Sequence, residues 1–155
     1  MKKNTLVLTY WSYRDALIQT YTLPYVRLIK KYLSDHSKIF LITLEQPHLK
    51  MTKREWVVEK NKLNREGIIL MRFKYRKFGF CAMIFLAGIF VFLSFLIFFK
   101  KVNKIHVWAM PAGVLGYLLS IITRKPLIID SYEPHAESMI ENGTWNRKSL
   151  VFNIA

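Results

Sequence analysis

Phe78-Gly79-Phe80-Cys81-Ala82-Met83-Ile84-Phe85-Leu86-Ala87-Gly88-Ile89-Phe90-Val91-Phe92-Leu93-Ser94-Phe95-Leu96-Ile97-Phe98-Phe99 is a run of 22 residues without a charge. As a helix it measures about 33 Å, enough to cross a bilayer. Arg72, Lys74, Arg76 and Lys77 precede it and Lys100, Lys101 and Lys104 follow, so the positive-inside rule assigns it no orientation. Its role is therefore decided by its neighbours. Ile68–Met71 before it and Ile105–Trp108 after it are apolar runs of strand length. A spanning helix would leave those two strands on opposite sides of a membrane, where they cannot share a sheet.

Further out the alternation continues. Leu6–Thr9 reads as a buried opening strand, followed by the polar-aromatic loop Tyr10–Asp15 and by Ile18, Tyr21, Tyr25, Leu28, Ile29 and Tyr32 at helical spacing. Pro24 falls inside that helix and predicts a kink or a late start. Ile39–Leu44 is a second strand, Thr52–Arg65 a charged helix, Ala112–Ile122 a helix entered after Pro111, and Pro126–Ile129 a fifth strand. Strands alternating with helices predict an α/β fold: a Rossmann-like, doubly wound, mostly parallel sheet of about five strands. The run 78–99 then becomes the crossover between strands three and four, one face packed on the sheet and another dipped into the cytoplasmic leaflet. A helix buried on all sides and a true span are the competing readings.

Composition agrees with a membrane surface. Across 155 residues there are 24 Lys and Arg against 10 Asp and Glu, a net charge of +14, with 52% hydrophobic residues. Such a mixture is unusual for a freely soluble domain. The basic residues run from Lys2 to Lys148 without one clustered face or a reader motif, which argues against nucleic acid as the partner. Cys81 is the single cysteine, so neither an internal disulfide nor a cysteine-based zinc site is available. The apolar residues after Met1-Lys2-Lys3 are too few for a signal peptide.

In an open parallel sheet, ligands bind beyond the carboxyl ends of the strands. Three segments lie there: Ser12-Tyr13-Arg14-Asp15, Ala109–Gly113, and the acidic loop from Asp130 to Met139. The last carries Asp130, Glu133, His135 and Glu137, with Asn142 close behind. His135 has the chemistry of an acid or base, with Asp130 and Glu133 to orient it or accept hydroxyl protons. Glu137 and Glu141 serve equally well as caps for a following helix. His135, Glu133 and Glu137 lack the helix-backed histidine pair or cysteines of a zinc site, so no metal is expected. No Gly-x-Gly-x-x-Gly or Walker-type loop follows strand one, which disfavours a nicotinamide or ATP site. His106, inside strand four, reads as a core or rim histidine.

Leu6–Leu33 and Ile105–Trp145, the latter reading strand, Pro-Ala-Gly, helix, Lys-Pro-Leu-Ile-Ile-Asp and acidic loop, resemble glycosyltransferase family 4, the retaining enzymes of the two-domain GT-B architecture. The resemblance implies that residues 1–155 are an amino-terminal, acceptor-binding domain. A nucleotide-sugar donor would bind a second domain, beyond this chain, without a cofactor or required metal. It implies hexosyl transfer to a lipid-linked or polysaccharide acceptor in cell-envelope synthesis, at the cytoplasmic face of a bacterial inner membrane. Acceptor contacts would fall to Ser12, Tyr13, Arg14, Asp15, Glu137 and Asn142, and catalysis to His135, Asp130 and Glu133. Where the family has a Gly-rich turn after strand one, this chain has Ser12–Ala16; where it has a histidine after strand five, this chain has Asp130-Ser131, and His135 is the substitute. The helix beginning at Asn146 reaches Ala155 without a cap, as in a chain cut before its donor domain. Two other readings stay open: a small integral membrane protein anchored by 78–99, and a non-catalytic accessory subunit of a split transferase.

Overall fold

The computed structural model describes residues 3–76, 79–108 and 110–130. Five strands, β1 (Asn4–Thr9), β2 (Ile39–Glu45), β3 (Ile68–Lys74), β4 (Val102–Trp108) and β5 (Leu127–Asp130), alternate with helices α1 (Leu23–Lys31), α2 (Lys53–Arg65), α3 (Phe80–Phe99) and α4 (Met110–Thr123). All strand pairings are parallel, in the order β3-β2-β1-β4-β5. The register places Leu6 between Phe40 and Ile105, and Leu8 between Ile42 and Val107. Every residue of β1 is buried, as are Ile39–Leu44 of β2, because helices cover both faces of the sheet.

The two faces have different partners. On one, Leu6, Leu8, Phe40, Ile42, Ile105 and Val107 pack against Ile89, Leu93, Leu96 and Ile97 of α3 and Ala112 and Leu119 of α4. On the other, Val7, Ile39, Leu41, Ile68 and Trp108 meet Leu23 and Val26 of α1 and Leu63 of α2. Ile89, Leu93, Leu96 and Ile97 fall at helical i, i+4, i+7 and i+8 positions, so one stripe of α3 faces the sheet although the helix is apolar all round. Gly116 brings α4 against the sheet, since a Cβ there would clash with Val107.

Element bounds differ in detail from the sequence reading. The first four strands are longer, β3 and β4 by three residues each, because backbone pairing continues where side chains become polar, and β5 is shifted by one residue to Leu127–Asp130. The uncharged run begins its helix at Phe80; Gly79 precedes it with φ of 140°, a conformation open to glycine. Helix α4, expected from Ala112, begins two residues earlier at Met110. Around Pro24 there is no kink; the α-helix starts late, at Leu23, after a wide turn over Ile18–Thr22 in which Leu23 N–H donates to the Ile18 carbonyl five residues back. Pro24, lacking an N–H, then sits in the first turn of α1. Thr52 and Glu55 form a reciprocal capping box on α2, with Glu55 N–H donating to Thr52 Oγ1 at 3.3 Å and Thr52 N–H to Glu55 Oε2 at 2.8 Å.

β3 and β4, which flank α3, lie in one sheet on either side of β2 and β1. The helix therefore returns along the sheet as the crossover between them, the placement expected from the sequence. Only about a quarter of its most apolar window, 28%, is buried. Phe80, Met83, Val91, Phe95 and Phe98 point away from the core, and Val114, Tyr117, Ile121 and Ile122 of neighbouring α4 extend the same exposed apolar face.

Candidate functional site

Strand order reverses between β1 and β4, so their carboxyl ends open a crevice at the topological switch point. Trp108 ends β4, paired with Thr9 on one side and Asp130 on the other. Because alternate residues of a strand share a face, Trp108 and His106 of β4 lie on the α1 side with Asp130 of β5. Tyr21, from the turn leading into α1, places its hydroxyl 3.5 Å from each carboxylate oxygen of Asp130. Tyr25, one turn on, lies 5.1 Å from the Tyr21 ring and 6.3 Å from Trp108, and Trp108 is tilted against His106 with centroids 4.0 Å apart. A carboxylate thus stands beside four aromatic rings at the mouth of the crevice.

Electrostatics follow from that packing. Burial, then the charge of Asp130, pushes the Tyr21 phenol above its ordinary value, so it remains a hydrogen-bond donor. Burial pushes His106 down, with Lys104 acting the same way and Asp130 opposing, so the ring is neutral at pH 7. Trp108 Nε1 and the Thr22 hydroxyl are buried without a hydrogen-bond partner among the described residues. Glu133, His135, Glu137 and Asn142 lie outside the described residues; of the expected catalytic set, Asp130 is the member whose surroundings are seen.

The β1–α1 loop has another environment. Ser12 is fully buried, its Oγ accepting from Gln46 N–H at 2.6 Å. Tyr13 N–H donates to Glu45 Oε1 at 3.1 Å and its phenol to Glu59 at 3.0 Å; burial and that carboxylate push the phenol up to about 12. Arg14 pairs with Glu55 of α2 at 2.6 Å. Asp15 accepts from Leu17 N–H at 2.9 Å, starting the helical turn. Tyr13, Arg14, Gln19, Met51, Glu55 and Val58 line a cavity of about 450 Å³ between the loop and α2. The structure therefore brings Tyr13 and Arg14 together at one pocket, turns Ser12 inward, and leaves Asp130 in a separate cluster across β1.

Tyr21, Tyr25 and Trp108 did not stand out as site residues in the sequence. At helical spacing, the tyrosines read as the core stripe of α1, and Trp108 as the end of a buried strand. The available signal was position: both tyrosines precede or enter the first helix, and Trp108 closes β4, at the sheet edge where ligands bind. No group of three or more His, Cys, Asp or Glu suited to a metal occurs among the described residues.

Two solved glycosyltransferases share the fold of this chain. A glycosyltransferase from Rickettsia africae matches with a TM-score of 0.55 over 89% of this chain and 33% of its own, at 11% identity. MurG of Acinetobacter baumannii matches with a TM-score of 0.51 over 82% of this chain and 34% of its own, also at 11% identity. The fold is glycosyltransferase-like. The carboxyl-terminal domain of a Pyrococcus furiosus hydrogenase, 9% identical, gives a TM-score of 0.48 over 84% of this chain and 94% of its own. This chain spans about a third of the length of the two glycosyltransferases, and at these identities the likeness is one of fold. No protein-family model matches the chain, and no curated protein matches its sequence.

Proposed function

We propose that the chain is the amino-terminal, acceptor-side portion of a membrane-associated retaining glycosyltransferase. It would receive a lipid-linked or polysaccharide acceptor of cell-envelope synthesis, while a donor domain in cis or in trans supplies the nucleotide sugar. The observation that carries this reading is the switch-point crevice of a glycosyltransferase-like sheet with Asp130, Tyr21 and Tyr25 at its mouth. Aromatic faces and a carboxylate are the groups that hold a sugar, the rings covering its apolar face and the carboxylate accepting from hydroxyls. His135 and Glu133 follow Asp130 closely in sequence and complete the proposed acid–base set. Glu137 and Asn142, with Arg14 and Tyr13, are the proposed acceptor contacts.

Membrane association is part of the same proposal. The exposed face of α3 and α4 is apolar, and α3 carries cations beyond both ends. Because β3 and β4 share a sheet, a membrane-bound chain would lay α3 in the plane of the cytoplasmic leaflet. The small integral membrane protein has no comparable support, since its span would divide that sheet.

Membranes of cells overproducing these residues together with their donor domain, joined in cis or co-expressed in trans because this portion alone is expected to be inactive, are incubated with radiolabelled UDP- and GDP-sugars to test the activity. Label should enter the lipid or polysaccharide extract in proportion to the protein, and Asp130→Asn should lower transfer by about 100-fold or more. Transfer unchanged in the variant would remove Asp130 from the acid–base set; no transfer from any of the sugars would contradict the proposed activity.

A further inference from the structure

The carboxyl-terminal halves of α3 and α4 end at the edge of the sheet opposite the crevice. Between them lies a groove of about 780 Å³ whose walls include Phe90, Ser94 and Phe98 and whose end is formed by Lys101, Arg124 and Lys125. Phe98 is 81% exposed and Ile122, on the α4 side, 62%. Lys101, just past the Lys100 cap of α3, and Arg124, directly after α4, have a left-handed backbone, φ of 50° and 53°, and so turn the chain out of the two helices at the same edge.

The charge there is unbalanced. From residue 67 to residue 129 the sequence holds nine Lys and Arg and no Asp or Glu. Among the described residues the ion pairs are Arg14–Glu55 and Arg27–Glu66, both elsewhere, so the three cations of the groove have no carboxylate partner. The two helix ends offset them by only about half a negative charge each. A long apolar groove closed by three full positive charges fits one amphiphile: a hydrocarbon chain with an anionic head.

We propose that this groove binds an anionic phospholipid, an acyl chain lying between α3 and α4 and the phosphate against Lys101, Arg124 and Lys125. The site is distinct from the crevice and would anchor the molecule by its far edge. It rests on the membrane-lying reading of α3 and adds to it a defined lipid with a defined seat.

Two measurements separate the site from membrane adhesion in general. Sedimentation with vesicles of phosphatidylcholine, with and without phosphatidylglycerol, reads adhesion. Native mass spectrometry from mixed detergent micelles holding both lipids reads the seat. The full chain should retain one phosphatidylglycerol in at least about tenfold preference to phosphatidylcholine. Ser94→Trp, which fills the groove without altering charge, should abolish that adduct while vesicle binding stays within about threefold. Lys101→Gln, Arg124→Gln and Lys125→Gln together should lower binding to the mixed vesicles roughly 100-fold, at about 1 kcal/mol per cation. Retention of the adduct in the folded Ser94 variant, or equal retention of the two lipids by the unaltered chain, would overturn the proposal. The unaltered chain alone decides if the variants do not fold. Absence of vesicle binding with the adduct intact would overturn the membrane-lying reading and leave the seat standing.

Discussion

His106 shows how one side chain reports on the crevice. Its ring is tilted against Trp108 and held below the ordinary value of 6.5, first by burial. In the unfolded chain the ring takes up a proton at about pH 6.5, whereas in the fold it does so only at lower pH. The unfolded state therefore binds more protons between those values, and stability falls as the pH drops from above 6.5 to the depressed folded value. His106→Gln should remove that part of the slope, which urea midpoints on the two sides of pH 6.5 would reveal. A wild-type-to-variant difference independent of pH would show that the ring titrates alike in both states. Asp130 raises the same ring, so Asp130→Asn should steepen the slope as well as reduce transfer.

Helix α3 presents the sharpest contrast within one element. Leu93 is fully buried on the sheet, while Phe95, two residues on, is 58% exposed. Leu93→Ala should cost about 2–5 kcal/mol, from lost transfer energy and the cavity left behind. Phe95→Ser should cost about 0.5 kcal/mol or less and weaken vesicle binding; thermal melting and sedimentation read the two effects. Equal destabilisation would mean that the outer face is buried too. The two sides of α3 were invisible in its sequence, because a helix apolar all round has no periodicity to betray which stripe meets the sheet. The strands, by contrast, were legible because parallel strands buried on both faces become short apolar runs such as Ile39–Leu44. The wide turn at Ile18–Thr22 was not, since a proline announces a broken hydrogen-bond ladder without specifying how the backbone absorbs it.

For the whole molecule, the order of elements implied a parallel sheet and hence the edge at which a site should lie, and both are present. What the sequence could not show was which side chains meet there: Tyr21 and Asp130, 109 residues apart, are joined only by the order of strands. Nor did it separate Tyr13 and Arg14, at the α2 cavity, from Asp130 in the crevice. In the proposed membrane-bound state the same topology lays α3 in the plane of the bilayer, since the helix runs back along a sheet that holds the strands on both sides of it. Cys81, the only cysteine and exposed near the start of α3, allows this to be tested in cells. A membrane-impermeant maleimide would be applied to right-side-out and inside-out membrane vesicles, for the unaltered chain and for Asn103→Cys in a Cys81→Ser background. An in-plane α3 requires both positions to react in inside-out vesicles alone, whereas one position reacting from each side would show that α3 crosses the membrane and contradict the account.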